Sequence, residues 1–146
     1  MNSPTPTLSR QAALLHRSGK LQDAERLYLA ALAADGRDVA ALHLLGVLRA
    51  QQGRMEEALQ RIEAALALAP DDAEILLNRA NVLKAMDRPR EALAGYDKAL
   101  AARPGWPQGE NNRGTALQAL GRFEEALAAY DRTLAAQPGH VEALNN

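Results

Sequence analysis

The sequence has no cysteine among its 146 residues, which excludes a disulfide scaffold, a thiolate metal site and a cysteine nucleophile. Aromatic residues number five, and valine and isoleucine together six, so the residue types that favour β-strands are scarce. Alanine and leucine, both strong helix formers, contribute 31 and 24 residues. This composition predicts an all-α fold.

An excess of charge of one sign and long apolar runs are also lacking. Seventeen basic and eighteen acidic residues give a net charge of −1, so no general attraction to nucleic acid or to an anionic membrane is expected. No apolar run approaches the ~20 residues that cross a bilayer, and the first residues do not resemble a signal peptide. We therefore expect a soluble, cytoplasmic protein without nucleic-acid or membrane partners. Fourteen arginines against three lysines, with abundant alanine, are typical of a bacterial genome of high GC content.

A period of 34 residues runs through the sequence, and self-similarity at a fixed period is the signature of a repeat architecture. Three sets of residues keep this spacing: Pro70, Pro104 and Pro138; Ala24, Ala58, Ala92 and Ala126; and Tyr28, Ile62, Tyr96 and Tyr130. The repeats span residues 5–38, 39–72, 73–106 and 107–140, and residues 141–146 begin a fifth. We predict that they form a single domain over residues 1–146.

Each repeat is predicted to form two helices joined by a tight turn. Gly19, Gly53 and Gly121 lie in the middle of their repeats at the common spacing, with Asp87 in the remaining place. Glycine tolerates the left-handed backbone conformation that ends many helices, and the proline near the end of a repeat cannot continue the helix before it. Each repeat is therefore expected to be an antiparallel αα-hairpin.

These residues resemble the tetratricopeptide-repeat family, whose 34-residue pattern is W-x2-L-G-x2-Y, then A-x3-F, then P. The second repeat, for example, carries Leu45-Gly46, then Ala58-x3-Ile62, then Pro70. The resemblance covers almost the whole chain. It implies a right-handed α-solenoid of about four helix-turn-helix hairpins plus the start of a fifth.

Small residues recur where two helix backbones are expected to approach closely. They are Ala12, Gly46, Ala80 and Gly114 in the first helices and Ala24, Ala58, Ala92 and Ala126 in the second helices. The large residues of the period, Tyr28, Ile62, Tyr96 and Tyr130, are expected to fill the wider gap between neighbouring hairpins. Since one hairpin cannot bury its apolar stripe alone, stacking of neighbours forms the core.

The resemblance implies a peptide-binding groove on the first helix of each hairpin. Ten residues are expected to line it: His43, Val47, Leu77, Asn78, Asn81, Lys84, Asn111, Asn112, Thr115 and Gln118. Asn78, Asn112 and Asn146 repeat at 34 residues, and an amide can both donate to and accept from the backbone of an extended peptide. Such a ladder, with its side chains facing solvent, is similar to that of the O-linked N-acetylglucosamine transferases. The alternative is that asparagine is simply common at this position in the family.

Another group of tetratricopeptide domains binds the carboxylate tail of chaperones through lysine, arginine and paired asparagines. Asn81 and Asn112 suit two positions of such a clamp. Glu142, however, stands where the resemblance requires a cation, which argues against a chaperone-tail site.

Motifs that carry chemistry are scarce. His16, His43 and His140 show no i,i+4 pairing and no carboxylate at metal-ligand spacing, and no nucleophile motif or phosphate loop occurs. We therefore expect no catalytic residue, no metal, no cofactor and no enzymatic activity.

The leading hypothesis is a non-catalytic protein-interaction module that binds a peptide or a partner helix in its concave groove. The alternative is the substrate-recognition part of a larger enzyme, such as a bacterial protein O-glycosyltransferase, because residues 141–146 begin a fifth hairpin and then stop. A third possibility is a scaffold that self-associates through the uncapped C-terminal end, since repeat arrays need polar terminal units to stay soluble.

Overall fold

The structure, a computed structural model, describes residues 5–146 apart from the side chain of Val141. Over these residues the regular structure is entirely helical, which confirms the predicted all-α class. The helices are α1 (Leu8–Arg17), α2 (Leu21–Ala34), α3 (Val39–Gln51), α4 (Met55–Leu68), α5 (Ala73–Ala85), α6 (Pro89–Ala102), α7 (Pro107–Ala119), α8 (Phe123–Ala136) and α9 (Val141–Asn145).

The helices pair as hairpins, as the period predicts. Helices α1 and α2, α3 and α4, α5 and α6, and α7 and α8 make the most extensive contacts. The chain divides into two compact units, the first ending at Pro70 and the second beginning at Asp71. In the first unit α2 also packs against α3, and in the second unit α6 packs against α7 and α8 against the short α9.

Small residues bring the two helices of a hairpin together. Ala92 is 0% exposed, and a Cβ atom added at Gly46 or Gly114 would lie 2.6 Å from the side chain of Ile62 or Tyr130. Both large residues therefore pack against the first helix of their own hairpin. A glycine leaves a hollow on the facing helix that the large side chain enters. The expectation that these residues fill the gap between neighbouring hairpins did not include this contact, and it stays a prediction.

The turn between the two helices of a hairpin requires a left-handed residue. Its φ is +80° at Gly19, +77° at Gly53 and +74° at Gly121, and Asp87 adopts the same conformation at +59°. An L residue with a Cβ atom is strained in this region, whereas glycine is not.

We expect Asp87→Gly to raise the free energy of unfolding by about 0.5–1 kcal/mol, because relief of the left-handed strain outweighs the greater chain entropy of unfolded glycine. Urea denaturation followed by circular dichroism measures the change. Asp71→Gly is the matched control, since Asp71 is an exposed turn residue without positive φ, and this change should lower stability. A loss of stability in both variants would contradict the strain at Asp87.

Candidate functional site: an amide-lined cleft in the second unit

Five of the ten predicted groove residues surround one cleft of about 570 Å³ in the second unit. They are Asn81, Lys84, Asn111, Asn112 and Thr115. The wall is completed by Gln108, Glu142, Asn145 and Asn146. Six of the nine lining residues are amides, so the cleft can both donate and accept hydrogen bonds.

The 34-residue period explains why these side chains meet. Asn81 on α5 and Thr115 on α7 occupy the same place in successive repeats, and so do Gln108 on α7 and Glu142 on α9. Helices α5 and α7 contact each other within the unit. Equivalent faces of successive first helices therefore lie side by side and build one surface.

A hydrogen-bonded chain of side chains fixes the centre of the cleft. The Tyr96 hydroxyl donates to Asn81 Oδ1 at 2.7 Å, and Asn112 Nδ2 donates to the same oxygen at 3.0 Å. Gln108 Nε2 in turn donates to Asn112 Oδ1 at 3.1 Å. The oxygen of Asn81 thus accepts two hydrogen bonds, while its two N–H groups have no acceptor in the described part of the chain.

Lys84 brings a positive charge to the same wall. Its Nζ atom donates to Thr115 Oγ1 at 2.8 Å and lies 5.9 Å from the centre of the Tyr96 ring. Burial lowers the pKa of Lys84, and the negative charge of Glu142 acts in the opposite direction. Among residues 5–146 no carboxylate lies within ion-pair distance of this ammonium group.

Asparagine and glutamate form the other end of the cleft. Asn111, which is 2% exposed, donates through Nδ2 to Glu142 Oε2 at 3.2 Å. Its Oδ1 atom accepts from Asn146 Nδ2 at 3.3 Å. These contacts attach α9 to α7 and place one carboxylate at this end.

The other predicted groove residues lie elsewhere. Leu77 is buried, Asn78 is half-buried and does not line the cleft, and Gln118 is exposed and accepts from the Tyr130 hydroxyl at 2.8 Å. In the first unit His43 is buried and Val47 is half-buried.

The asparagine ladder differs from its expected form. Asn112 is only 7% exposed and hydrogen-bonded on both sides, while Asn78 is absent from the cleft wall. The expectation that the asparagines at this spacing form a row of solvent-facing amides was therefore wrong in part, because Asn81 and Gln108 enclose Asn112.

Four lining residues were missing from the predicted set, namely Gln108, Glu142, Asn145 and Asn146. The period had already placed Asn146 in the asparagine ladder with Asn112, and it could also have found Asn145, the 34-residue equivalent of Asn111. No sequence pattern indicates that the Tyr96 hydroxyl bonds to Asn81.

An exposed apolar surface lies on α8. Phe123 and Leu127 are 66% and 61% exposed, whereas Leu93, the equivalent of Leu127 on α6, is 7% exposed. Helix α6, which carries the buried Leu93, packs against both α5 and α7. Self-association through the uncapped C-terminal end stays a prediction.

None of the helices in the described ranges combines the length and apolar character needed to span a membrane. Within the same ranges no group of three or more histidine or acidic side chains is placed to hold a metal ion.

Two family models described as tetratricopeptide repeat match residues 37–105 and 111–146, which together make up well over half of the chain. A search of curated protein sequences gives no match.

Among solved structures, PilW, a type IV pilus biogenesis factor, is similar with 27% identity and a TM-score of 0.88, covering 98% of this chain and 66% of PilW. The first tetratricopeptide domain of Spaghetti (RPAP3), bound to the HSP90 peptide SRMEEVD, has 26% identity and a TM-score of 0.72, covering 76% of this chain and 88% of that domain. MamA, at 22% identity and a TM-score of 0.81 over 90% of this chain and 77% of MamA, shows a likeness of fold alone. These matches confirm the solenoid-type repeat fold, and the predicted likeness to O-linked N-acetylglucosamine transferases finds no support among them.

Proposed function

Because the chain belongs to the tetratricopeptide-repeat family, whose repeats are protein-interaction modules, we propose that it binds an extended peptide segment of a protein partner in the cleft of its second unit. The single observation that carries this proposal is the pair of N–H groups of Asn81 that have no acceptor in the described chain, set in a wall of amides. A peptide backbone supplies carbonyl acceptors and N–H donors at regular intervals, which suits such a wall.

Two further observations support a peptide rather than a small molecule. The cleft is lined by polar side chains without an aromatic platform, whereas small-molecule pockets are mostly apolar. In addition, the similar domain of Spaghetti is bound to a peptide. No step of catalysis is part of the proposal.

An array of random heptapeptides, blocked at both ends, tests the proposal. We expect the full chain to bind a subset of them and Asn112→Ala to weaken this binding by about 1 kcal/mol, or roughly fivefold, because a hydrogen-bonded amide of the wall is lost. Titration calorimetry with the selected peptides measures the change. Asn78→Ala is the matched control, since Asn78 occupies the equivalent place one repeat earlier but lies outside the cleft.

Thermal melting of both variants accompanies the titrations, because Asn112 is buried. A selected peptide whose affinity drops equally in Asn78→Ala and Asn112→Ala would place the binding surface elsewhere. Absence of binding to the whole array would contradict the proposed function.

A further inference from the structure

Two helices of the chain expose leucines whose equivalents in other repeats are buried. Leu14 on α1 is 53% exposed, whereas its equivalents Leu48 and Val82 are 0% and 4% exposed. On α8, Leu127 is 61% exposed, against 7% for its equivalent Leu93. Helices α1 and α8 therefore each present an apolar residue at a position that is covered elsewhere in the chain.

Contacts between hairpins follow one rule in both units. The second helix of a hairpin packs against the first helix of the next, as α2 packs against α3 and α6 against α7. Helix α8 is a second helix whose following first helix, α9, has only five residues, and α1 is a first helix that no other helix precedes among residues 5–146. The α1 helix of a second copy is thus of the kind that packs against a helix such as α8.

Ion pairs across these contacts have a fixed polarity. The second helix supplies the carboxylate and the following first helix the arginine, as in Glu25 with Arg49 at 2.5 Å and Asp97 with Arg113 at 2.6 Å. Asp131 on α8 is the 34-residue equivalent of Asp97, yet it has no cation within ion-pair distance in the described part of the chain. A helix that covers α8 is therefore expected to carry an arginine.

Exposed faces of α1 and α8 match each other in charge and spacing. Each face consists of a leucine between two residues of like charge, all three exposed and three or four residues apart: Arg10, Leu14 and Arg17 form the α1 face, and Glu124, Leu127 and Asp131 form the α8 face. On both faces the charged residues are seven positions apart, or about 10 Å along the helix axis. None of the four charges has an ion-pair partner among residues 5–146, and α1 contains no acidic residue.

Antiparallel packing brings both faces into register. On the α1 face the leucine lies four residues after Arg10 and three before Arg17, and on the α8 face it lies three residues after Glu124 and four before Asp131. With the two leucines in contact, Arg10 lies against Asp131. The second arginine then lies against Glu124. Phe123, which is 66% exposed and one turn before the leucine of the α8 face, extends the apolar part of the contact.

We propose that the chain associates head to tail, with the α1 face of one copy bound to the α8 face of another through two ion pairs around a leucine contact. Because the two faces are different, the contact is heterologous, and one copy can bind a neighbour at each face. None of the six residues lines the cleft. The association is therefore independent of peptide binding, and each copy keeps its own cleft.

Sedimentation velocity of the full chain, over about two orders of magnitude in concentration, measures the association. We expect the average sedimentation coefficient of the unaltered chain to rise with concentration. Arg10→Glu and Asp131→Arg each place like charges opposite one another, so each variant alone should associate about tenfold more weakly or less. An equimolar mixture of the two variants should associate as the unaltered chain does, because alternating copies again pair opposite charges at both contacts.

Arg37→Glu and Asp71→Arg are the matched controls, since they make the same changes of charge at exposed residues outside both faces. Each of them should associate like the unaltered chain, and circular dichroism confirms that all four variants keep their helices.

An unaltered chain that stays monomeric at every concentration would overturn the proposal. Association that Arg10→Glu leaves unchanged would also overturn it, because this is the result expected if α8 packed against the α8 of a second copy. A mixture of the two variants that fails to associate would contradict the pairing of the two faces. Each of these results leaves the proposed peptide binding standing.

Discussion

Replacement of Ala92 by phenylalanine is expected to lower the free energy of unfolding by about 3 kcal/mol, the upper part of the range for overpacked cores. Ala92 is 0% exposed on α6, which packs along its length against α5 in the same hairpin. One turn further along α6, a Cβ atom at Gly95 would lie 2.9 Å from the Cβ atom of Ala80. There is consequently no space for a ring, and the two helices must separate to admit it.

Urea denaturation of Ala92→Phe measures this loss. The matched control is Ala94→Phe, because Ala94 lies on the same helix but is exposed, and its replacement should change stability by no more than about 0.5 kcal/mol. Equal stability of the two variants would contradict the position of Ala92 at the helix contact.

Removal of the Arg49 side chain by Arg49→Ala is expected to cost about 3 kcal/mol, because it leaves a partly buried carboxylate without its partner. Arg49 is 6% exposed, and its guanidinium group lies 2.5 Å from Glu25 Oε1 and 3.3 Å from Glu57 Oε2. Its hydrogen bond to Gln52 Oε1 at 3.0 Å is lost as well.

The double variant Glu25→Leu with Arg49→Leu should instead fold with stability close to that of the unaltered chain. Two repeats later, the places of Glu25 and Arg49 are occupied by Leu93 and Leu117, both buried. Apolar residues of similar volume often replace a buried ion pair without loss. Urea denaturation at neutral pH compares Arg49→Ala with the double leucine variant. An equal loss of stability in both would show that packing around Arg49 matters more than its charge.

Because of the ion pair, the difference in stability between the unaltered protein and the double-leucine variant depends on pH. The hydrogen bond and charge of Arg49 hold the pKa of Glu25 below its ordinary value. The stabilisation is therefore complete above the pKa of Glu25 in the unfolded chain and is lost as the pH falls through the lowered pKa of the folded chain. The unaltered protein should lose stability relative to the double-leucine variant below about pH 5.

The repeat and its helices could be predicted from the sequence because they follow from local pattern. The mid-repeat glycines end α1, α3 and α7, and Pro89 stands in the first turn of α6, where its missing N–H removes no helical hydrogen bond. The buried alanines are likewise a direct consequence of the 34-residue spacing.

The site could be predicted only in part, because its chemistry depends on contacts between helices. Asn78 and Asn112 hold equivalent places, yet only Asn112 lines the cleft. The Tyr96 hydroxyl bonds to Asn81, 15 residues before it, whereas those of Tyr28 and Tyr130 contact residues 12 before them. A period identifies which positions are equivalent. It does not specify which of several groups at similar distance a polar atom forms a hydrogen bond with.

Nuclear magnetic resonance of the 15N-labelled chain during titration with an array-selected heptapeptide tests the binding site most directly. We expect the largest shifts in the side-chain amides of Asn81, Asn112 and Gln108 and in the backbone amide of Thr115. Amides in the first unit and on the α8 surface of Phe123 and Leu127 should barely move. Saturable shifts confined to the first unit or to α8, with the cleft amides unchanged, would contradict the account.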